Sequence, residues 1–148
     1  LPYTIIRPSA LYGERCVSRR VGQIFIENAI QNLDITVNGD GEEKLDFTYI
    51  SDLVSGIADC CETDKSINET FNITFGKARK INELLDVLKN EFPNIKVFYK
   101  EKEKFAPERG TLKTDKAKKL LNFQAKNSIE EGYIKYISWY KGFSENIK

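Results

Sequence analysis

Five cations stand in segments that read as loops: Arg15, Arg19, Arg20, Lys44 and Arg109. An arginine guanidinium is a planar fork of donors that suits phosphate oxygens, so cations in such places can hold an anionic ligand. Taken singly, each reads as a solvated surface charge. Other chemistry is scarce. There is no histidine, so the commonest general base and metal ligand is missing. Tyr12, Tyr49, Tyr133 and Tyr136 are followed four residues later by Cys16, Leu53, Ile137 and Tyr140, never by lysine. No Gly-x-Gly-x-x-Gly turn, no phosphate loop ending in Gly-Lys-Ser/Thr and no Cys/His metal cluster occurs. The residues can grip an anion but do not form a complete catalytic set.

The totals agree. A chain of 148 residues is long enough to bury a real core, and one domain is expected. A net charge of +1 gives no footprint for nucleic acid. No apolar run reaches membrane-spanning length, so no membrane partner is expected. The cysteines are Cys16, Cys60 and Cys61. An odd count with two adjacent does not make a disulfide framework, and a reducing cytoplasm fits. Cys60 and Cys61 read as small apolar helix residues. The sequence has no methionine and begins at Leu1, from which we expect the C-terminal part of a longer protein.

The elements that must position these residues alternate between strand and helix. Thr4–Ile6 is a β-branched run stopped by Pro8, which cannot donate to a ladder, and Gly13 permits the turn beyond it. Ser18 is a candidate cap for a helix carrying Val21, Ile24, Phe25 and Ala29 on one face. Ile35–Val37 reads as a short strand, Asn38–Gly41 as a turn and Asp46–Ile50 as a further strand. Ser51 or Asp52 is expected to cap a helix whose apolar positions are Leu53, Val54, Ile57, Ala58 and Cys61. Thr70–Gly76 reads as a strand. A helix with Ile81, Leu84, Leu85, Leu88 and Phe92 follows, stopped by Pro93. Lys96–Tyr99 is the next strand, and the alternating charges of 100–110 read as a solvated connection. Thr114 is a candidate cap for a short helix through Leu121. Ser128 and Glu131 have capping-box spacing ahead of a helix bearing Ile129, Tyr133, Tyr136, Ile137 and Tyr140. Its aromatics and Trp139 read as packing. The class is α/β with some parallel pairing.

Four segments, in order, resemble the C-terminal half of an extended short-chain dehydrogenase/reductase of the nucleotide-sugar epimerase and dehydratase group. They are Ile6-Arg7-Pro8-Ser9-Ala10-Leu11-Tyr12-Gly13; Gly39-Asp40-Gly41 with Asp46-Phe47-Thr48-Tyr49-Ile50-Ser51-Asp52; Phe71-Asn72-Ile73 with Gly76; and Lys116 to Phe123 with Ser128-Ile129-Glu130-Glu131-Gly132. Each alone is weak; four in family order cover essentially the whole chain.

The resemblance implies a single α/β substrate-binding region over residues 1–148. It also implies an upstream Rossmann domain that binds NAD or NADP and carries a Tyr-x-x-x-Lys pair. The substrate would be a nucleotide sugar, the full protein a homodimer, and this chain alone inactive. Pro8 and Ser9 match positions at the nicotinamide end of the cofactor. Arg20 and Val21 match the helix start that meets the nucleotide, and Thr36 and Asn38 the strand that brackets its base. Asn72 matches a polar position near the diphosphate, and Arg109 a late arginine that holds it. Ala10 stands where the family often has asparagine, and Leu45 where it usually has arginine. These departures keep open a non-catalytic relative acting as a dinucleotide-linked sensor or scaffold. A free-standing interaction domain is a third alternative. The strands around Ile5 and Ile73 are expected to belong to a larger sheet and to leave apolar edges exposed.

Overall fold

The computed structural model describes residues 1–102 and 108–145. Its strands form four two-stranded ladders. β1 (Thr4–Arg7) runs parallel to β6 (Glu69–Asn72), with Ile6 opposite Phe71. β2 (Leu11–Tyr12) runs parallel to β5 (Thr48–Tyr49), and β3 (Ile35–Asn38) parallel to β8 (Val97–Lys100). β4 (Lys44–Leu45) and β7 (Arg79–Lys80) are antiparallel. Among the described residues five α-helices flank them: α1 (Val21–Ile30), α2 (Ile50–Cys61), α3 (Ile81–Glu91), α4 (Asp115–Leu121) and α5 (Ile129–Glu145). The expected class, short parallel strands with flanking helices, is what the chain adopts. Among the described residues no helix is long and apolar enough to cross a membrane.

Two apolar clusters hold these elements. The larger joins α1, α3 and α5 through Phe25, Ile26, Leu84, Leu88, Tyr133 and Ile137, all buried. The smaller joins β6, α2 and α4 through Phe71, Ile73, Leu53, Leu121 and Phe123. The capping box of α5 forms as its spacing implies. Glu131 N–H donates to Ser128 Oγ at 3.3 Å, and Ser128 N–H donates to Glu131 Oε2 at 3.3 Å.

Elsewhere tertiary contacts override local signals. Ser18 does not cap α1. Arg20 stands at the cap position without a side-chain bond, and Ser18 Oγ lies 3.5 Å from Cys16 Sγ. Neither Ser51 nor Asp52 caps α2. Tyr49 precedes the helix, and the Asp52 carboxylate reaches across to the 126–127 loop. α2 is also rotated from the expected stripe: Leu53, Gly56 and Cys60 face inward, while Val54 and Ile57 are exposed. Gly56 sets that rotation, because a Cβ there would lie 2.4 Å from Ile73 Cγ2. The helix seats where it has no side chain, and its branched residues turn outward. Thr114 precedes α4 but makes no side-chain cap bond. The strand expected over Asp46–Ile50 is paired only at Thr48–Tyr49, since Asp46 turns inward as a hydrogen-bond acceptor.

Parallel pairs are ordinarily covered on both faces. Here Ile5 on β1 is 46% exposed and β6 is the one partner of β1 among the described residues. Ile73, by contrast, is fully buried, so of these two strands β1 is the one that leaves an apolar side chain exposed; further exposed apolar side chains stand on α2 (Val54, Ile57) and β8 (Phe98, Tyr99).

An ion-pair group ties β7 to two helices. Arg79 Nε bonds Glu83 Oε1 at 2.7 Å, and its Nη2 bonds Glu130 at the start of α5. The bond from Arg79 holds the Glu130 carboxyl below the usual carboxylate range. At Glu83 burial pushes upward, but the Lys80 N–H and Arg79 outweigh it and the net direction is also down. A depressed folded value contributes stability above the unfolded carboxylate pKa of about 4.3 and loses it as pH falls through the folded value. The stability gap between wild type and Arg79→Met is therefore expected to narrow as urea unfolding is moved from pH 6 to pH 3. A gap that stays constant would contradict the assignment.

Candidate functional site

A cavity of about 680 Å³ opens between the start of α1, the β3 strand and the β4–β5 turn. Arg20 and Val21 reach it from the beginning of α1, Thr36 and Asn38 from alternate positions of β3, and Arg109 from the segment that leads to α4. Thr36 and Asn38 are exposed while Ile35 and Val37 between them are buried, so the strand's period of two turns its polar residues outward. Its floor is apolar, with Tyr12, Phe25, Leu45, Phe47 and Ile81. Cations at the rim over an apolar floor suit a ligand with an anionic part and a flat or weakly polar part.

The loop before α1 sorts its three arginines. Arg15 and Arg19 sit at φ +61° and +41°, so the chain turns sharply between Gly13 and Val21. Arg19 is carried away from the cavity and paired with Glu27, Nη2 to Oε2 at 2.8 Å and Nε to Oε2 at 3.0 Å. Arg15 is not in the lining. Arg20 is, and it has no carboxylate partner among the described residues. The turn is braced from behind by Tyr49, whose hydroxyl donates to Glu14. Cys16 lies in the same turn. Burial pushes its thiol up, but the Ser18 hydroxyl, the N–H groups of Ser18 and Arg20 and the Arg20 charge outweigh this and hold it below the usual thiol value.

The remaining candidates lie apart. Pro8 and Ser9 follow the end of β1 and stop short of the cavity; Ala10, at φ +35°, is the first residue of that loop to enter it. Asn72 ends β6 outside the lining, and its Nδ2 donates to Lys113 O at 2.9 Å. Lys44 lines a neighbouring groove of about 620 Å³, which shares Glu43, Lys102 and Arg109 with the main cavity. The 100–110 connection is described only at its two ends, and residues 103–107 lie outside the described residues.

Two residues not singled out from the sequence belong to this region. Lys102 adds a rim cation. Asp46, fully buried, accepts from Gly76 N–H at 3.0 Å on Oδ1, and from Thr74 Oγ1 at 3.1 Å and Leu112 N–H at 3.0 Å on Oδ2. An acidic residue between two short strands carries no periodic signal. Its only mark was its place directly after Leu45 in the Asp-Phe motif.

The family model described as the NAD dependent epimerase/dehydratase family matches residues 1–74. A putative UDP-glucose 4-epimerase of Methanocaldococcus jannaschii is 30% identical over 146 residues, covering 95% of this chain and 46% of that protein. The epimerase Mth375 of Methanothermobacter thermautotrophicus superposes with a TM-score of 0.93 at 25% identity, over 99% of this chain and 45% of that one. The UDP-glucose 4-epimerase of Thermotoga maritima, solved with UDP-glucose, superposes at 0.88 with 30% identity, over 97% of this chain and 47% of that one. The chain belongs to the NAD dependent epimerase/dehydratase family. It spans somewhat less than half the length of the relatives it matches.

Proposed function

We propose that this chain is the substrate-binding part of an NAD- or NADP-dependent nucleotide-sugar epimerase or dehydratase. One observation carries the proposal: Arg20, Val21, Thr36, Asn38 and Arg109, drawn from three separate parts of the sequence, line one cavity. Thr36 and Asn38 would bracket the base. Arg20 and Arg109 would hold the diphosphate, where a guanidinium in a partly dry cleft is worth more than in open water. The sugar would lie over Leu45 and Phe47. Two features favour a dinucleotide approaching from the β1 side. The end of a parallel strand is where α/β sheets place such ligands, and the loop from Pro8 through Ser9 leads directly into the cavity at Ala10. The nicotinamide would supply reversible hydride transfer, with Pro8 and Ser9 shaping its approach. The proton-transfer pair and most of the cofactor contacts would come from the portion that the longer relatives possess and these residues lack.

UDP is the simplest probe. Titration calorimetry is expected to show binding that Arg109→Ala weakens about tenfold or more, the worth of a lost charge-assisted contact. Arg20→Ala is expected to do the same, while Arg15→Ala has little effect. Equal loss from all three, or none, would overturn the assignment. The 148 residues alone are expected to give no epimerisation of UDP-glucose with NAD present, and measurable turnover would refute that.

Leu45 favours a second reading, a relative that binds a nucleotide without turning it over. It is 8% exposed and lies in the cavity floor where the family usually has arginine. In that case UDP would stabilise the protein but addition of the sugar would not increase the effect.

A further inference from the structure

Residues 109–114 have no regular structure, yet they connect Arg109 to α4 and determine where its guanidinium can reach. Gly110 has nothing within 4 Å of where a side chain would begin. The first fixed points lie just beyond it, and there are three in succession. Ala78 N–H donates to Thr111 Oγ1 at 2.8 Å, Leu112 N–H donates to Asp46 Oδ2 at 3.0 Å, and Asn72 Nδ2 donates to Lys113 O at 2.9 Å. All three anchors come from two places: the 72–78 turn and Asp46. Asp46 also binds that turn, through Gly76 N–H and Thr74 Oγ1, so one carboxylate joins the turn to the strap. Its chain neighbours Leu45 and Phe47 are both in the cavity floor. The same residue therefore sets the floor and the height of the rim above it.

We propose that Asp46, assisted by Asn72 and Thr111, is a positioning residue that pins the 109–114 strap and so aims Arg109 into the nucleotide cavity. The inference rests on the reading of Arg109 as a diphosphate ligand. Leu112 is the middle one of the three anchors, and Thr111, the nearest, stands two residues from Arg109, about 7 Å of chain at full stretch, so slack at Leu112 loosens the short lead that carries the arginine. A flexible arginine must then give up more backbone and side-chain freedom on binding. One backbone N–H meets each carboxylate oxygen, Gly76 on Oδ1 and Leu112 on Oδ2, with the Thr74 hydroxyl also on Oδ2. Asparagine at 46 would therefore set its own N–H₂ against one of these backbone N–H groups whichever way it turned.

UDP affinity measured by calorimetry on Asp46→Asn, Asn72→Ala, Thr111→Val, Arg109→Ala and the double variant Asp46→Asn/Arg109→Ala tests this. Asn72, at the end of β6, and Thr111, on the strap, are both less buried than Asp46, so their variants report even if Asp46→Asn folds poorly. Asp46→Asn is expected to weaken UDP about fivefold, and Asn72→Ala or Thr111→Val about two- to threefold, each a fraction of the Arg109→Ala loss. The double variant is expected to bind no more weakly than Arg109→Ala alone, because a residue that acts through Arg109 has nothing left to position. A merely structural Asp46 would not show that coupling. If Arg109→Ala weakens UDP while the strap variants bind as wild type, or if the two losses multiply, the positioning role is refuted and the anion site stands. If Arg109→Ala binds as wild type, the anion-site reading falls and the positioning role falls with it.

Discussion

Tyr133→Ala is expected to destabilise the protein by about 3–5 kcal/mol, the range for deleting a large buried aromatic side chain. Tyr133 is fully buried at the junction of α5 with α1 and β2. Its ring stands edge-on to Tyr12 at 6.3 Å between centroids, and its hydroxyl donates to Gly22 O at 2.7 Å. Gly22 is matched to that ring, since a Cβ there would lie 3.3 Å from Tyr133 Cε2. Burial, the main influence, drives the phenol pKa well above its ordinary value, so it stays a neutral donor. Truncation removes the ring, the edge contact and the bond together. Tyr133→Phe removes only the bond and is expected to cost about 1 kcal/mol. The difference between the two variants measures the packing. Gly22 follows Arg20 and Val21 by one turn of chain or less, so the alanine variant is also expected to lose UDP binding. Urea unfolding checks the first claim, and a loss below 1 kcal/mol for Tyr133→Ala would refute it.

Asp52→Ala is expected to cost nearly as much, about 3–5 kcal/mol, for a polar reason. The carboxylate accepts from Lys126 N–H at 3.1 Å, Asn127 N–H at 3.0 Å and Asn127 Nδ2 at 2.8 Å, and Asp52 is 4% exposed. Its loss leaves three donors without their acceptor, two of them on a backbone that cannot turn away. The Asn127 amide retains Ser51 Oγ at 3.2 Å, and Lys135 Nζ still donates to its oxygen at 2.6 Å, which limits the damage. Because residues 126–127 lead directly into the Ser128–Glu131 box, the start of α5 is expected to fray in this variant. Amide hydrogen exchange at residues 129–132 should then rise more than exchange in α3. Uniform acceleration, or none, would argue against a local role for Asp52. Asp52→Asn keeps one acceptor oxygen and is expected to fall between alanine and wild type.

Much of this was legible in the residues. β1 ends before Pro8 because proline has no N–H to give the ladder. α3 ends ahead of Pro93. Ser128 and Glu131 form their reciprocal cap because both partners lie within one turn. Arg20, Val21, Thr36, Asn38 and Arg109 could be picked out by their order in a family pattern, and they do line one cavity. What misled was local chemistry with a stronger distant competitor. Ser18, Ser51 and Asp52 are all good capping residues, but Asp52 gains three donors on another segment, two of them in buried bonds, more than one helix N–H could offer. The apolar stripe on α2 was misread because Gly56 permits a closer approach than any branched residue.

The five helices, the longer strands and the family could be read from the residues alone, because caps, proline stops and strand alternation act over a few residues; the two-residue strands Leu11–Tyr12, Lys44–Leu45 and Arg79–Lys80 could not, since their pairing comes from distant partners, and the strand expected over Thr70–Gly76 ends at Asn72. Packing in three dimensions settles which arginine lines the cavity and which is consumed by Glu27, and it sets Asn72 against Lys113 rather than in the cavity lining. The bond from Leu112 N–H to Asp46 came to light in the same way. Those outcomes depend on contacts between residues 8 to 66 positions apart, and no spacing rule reaches that far.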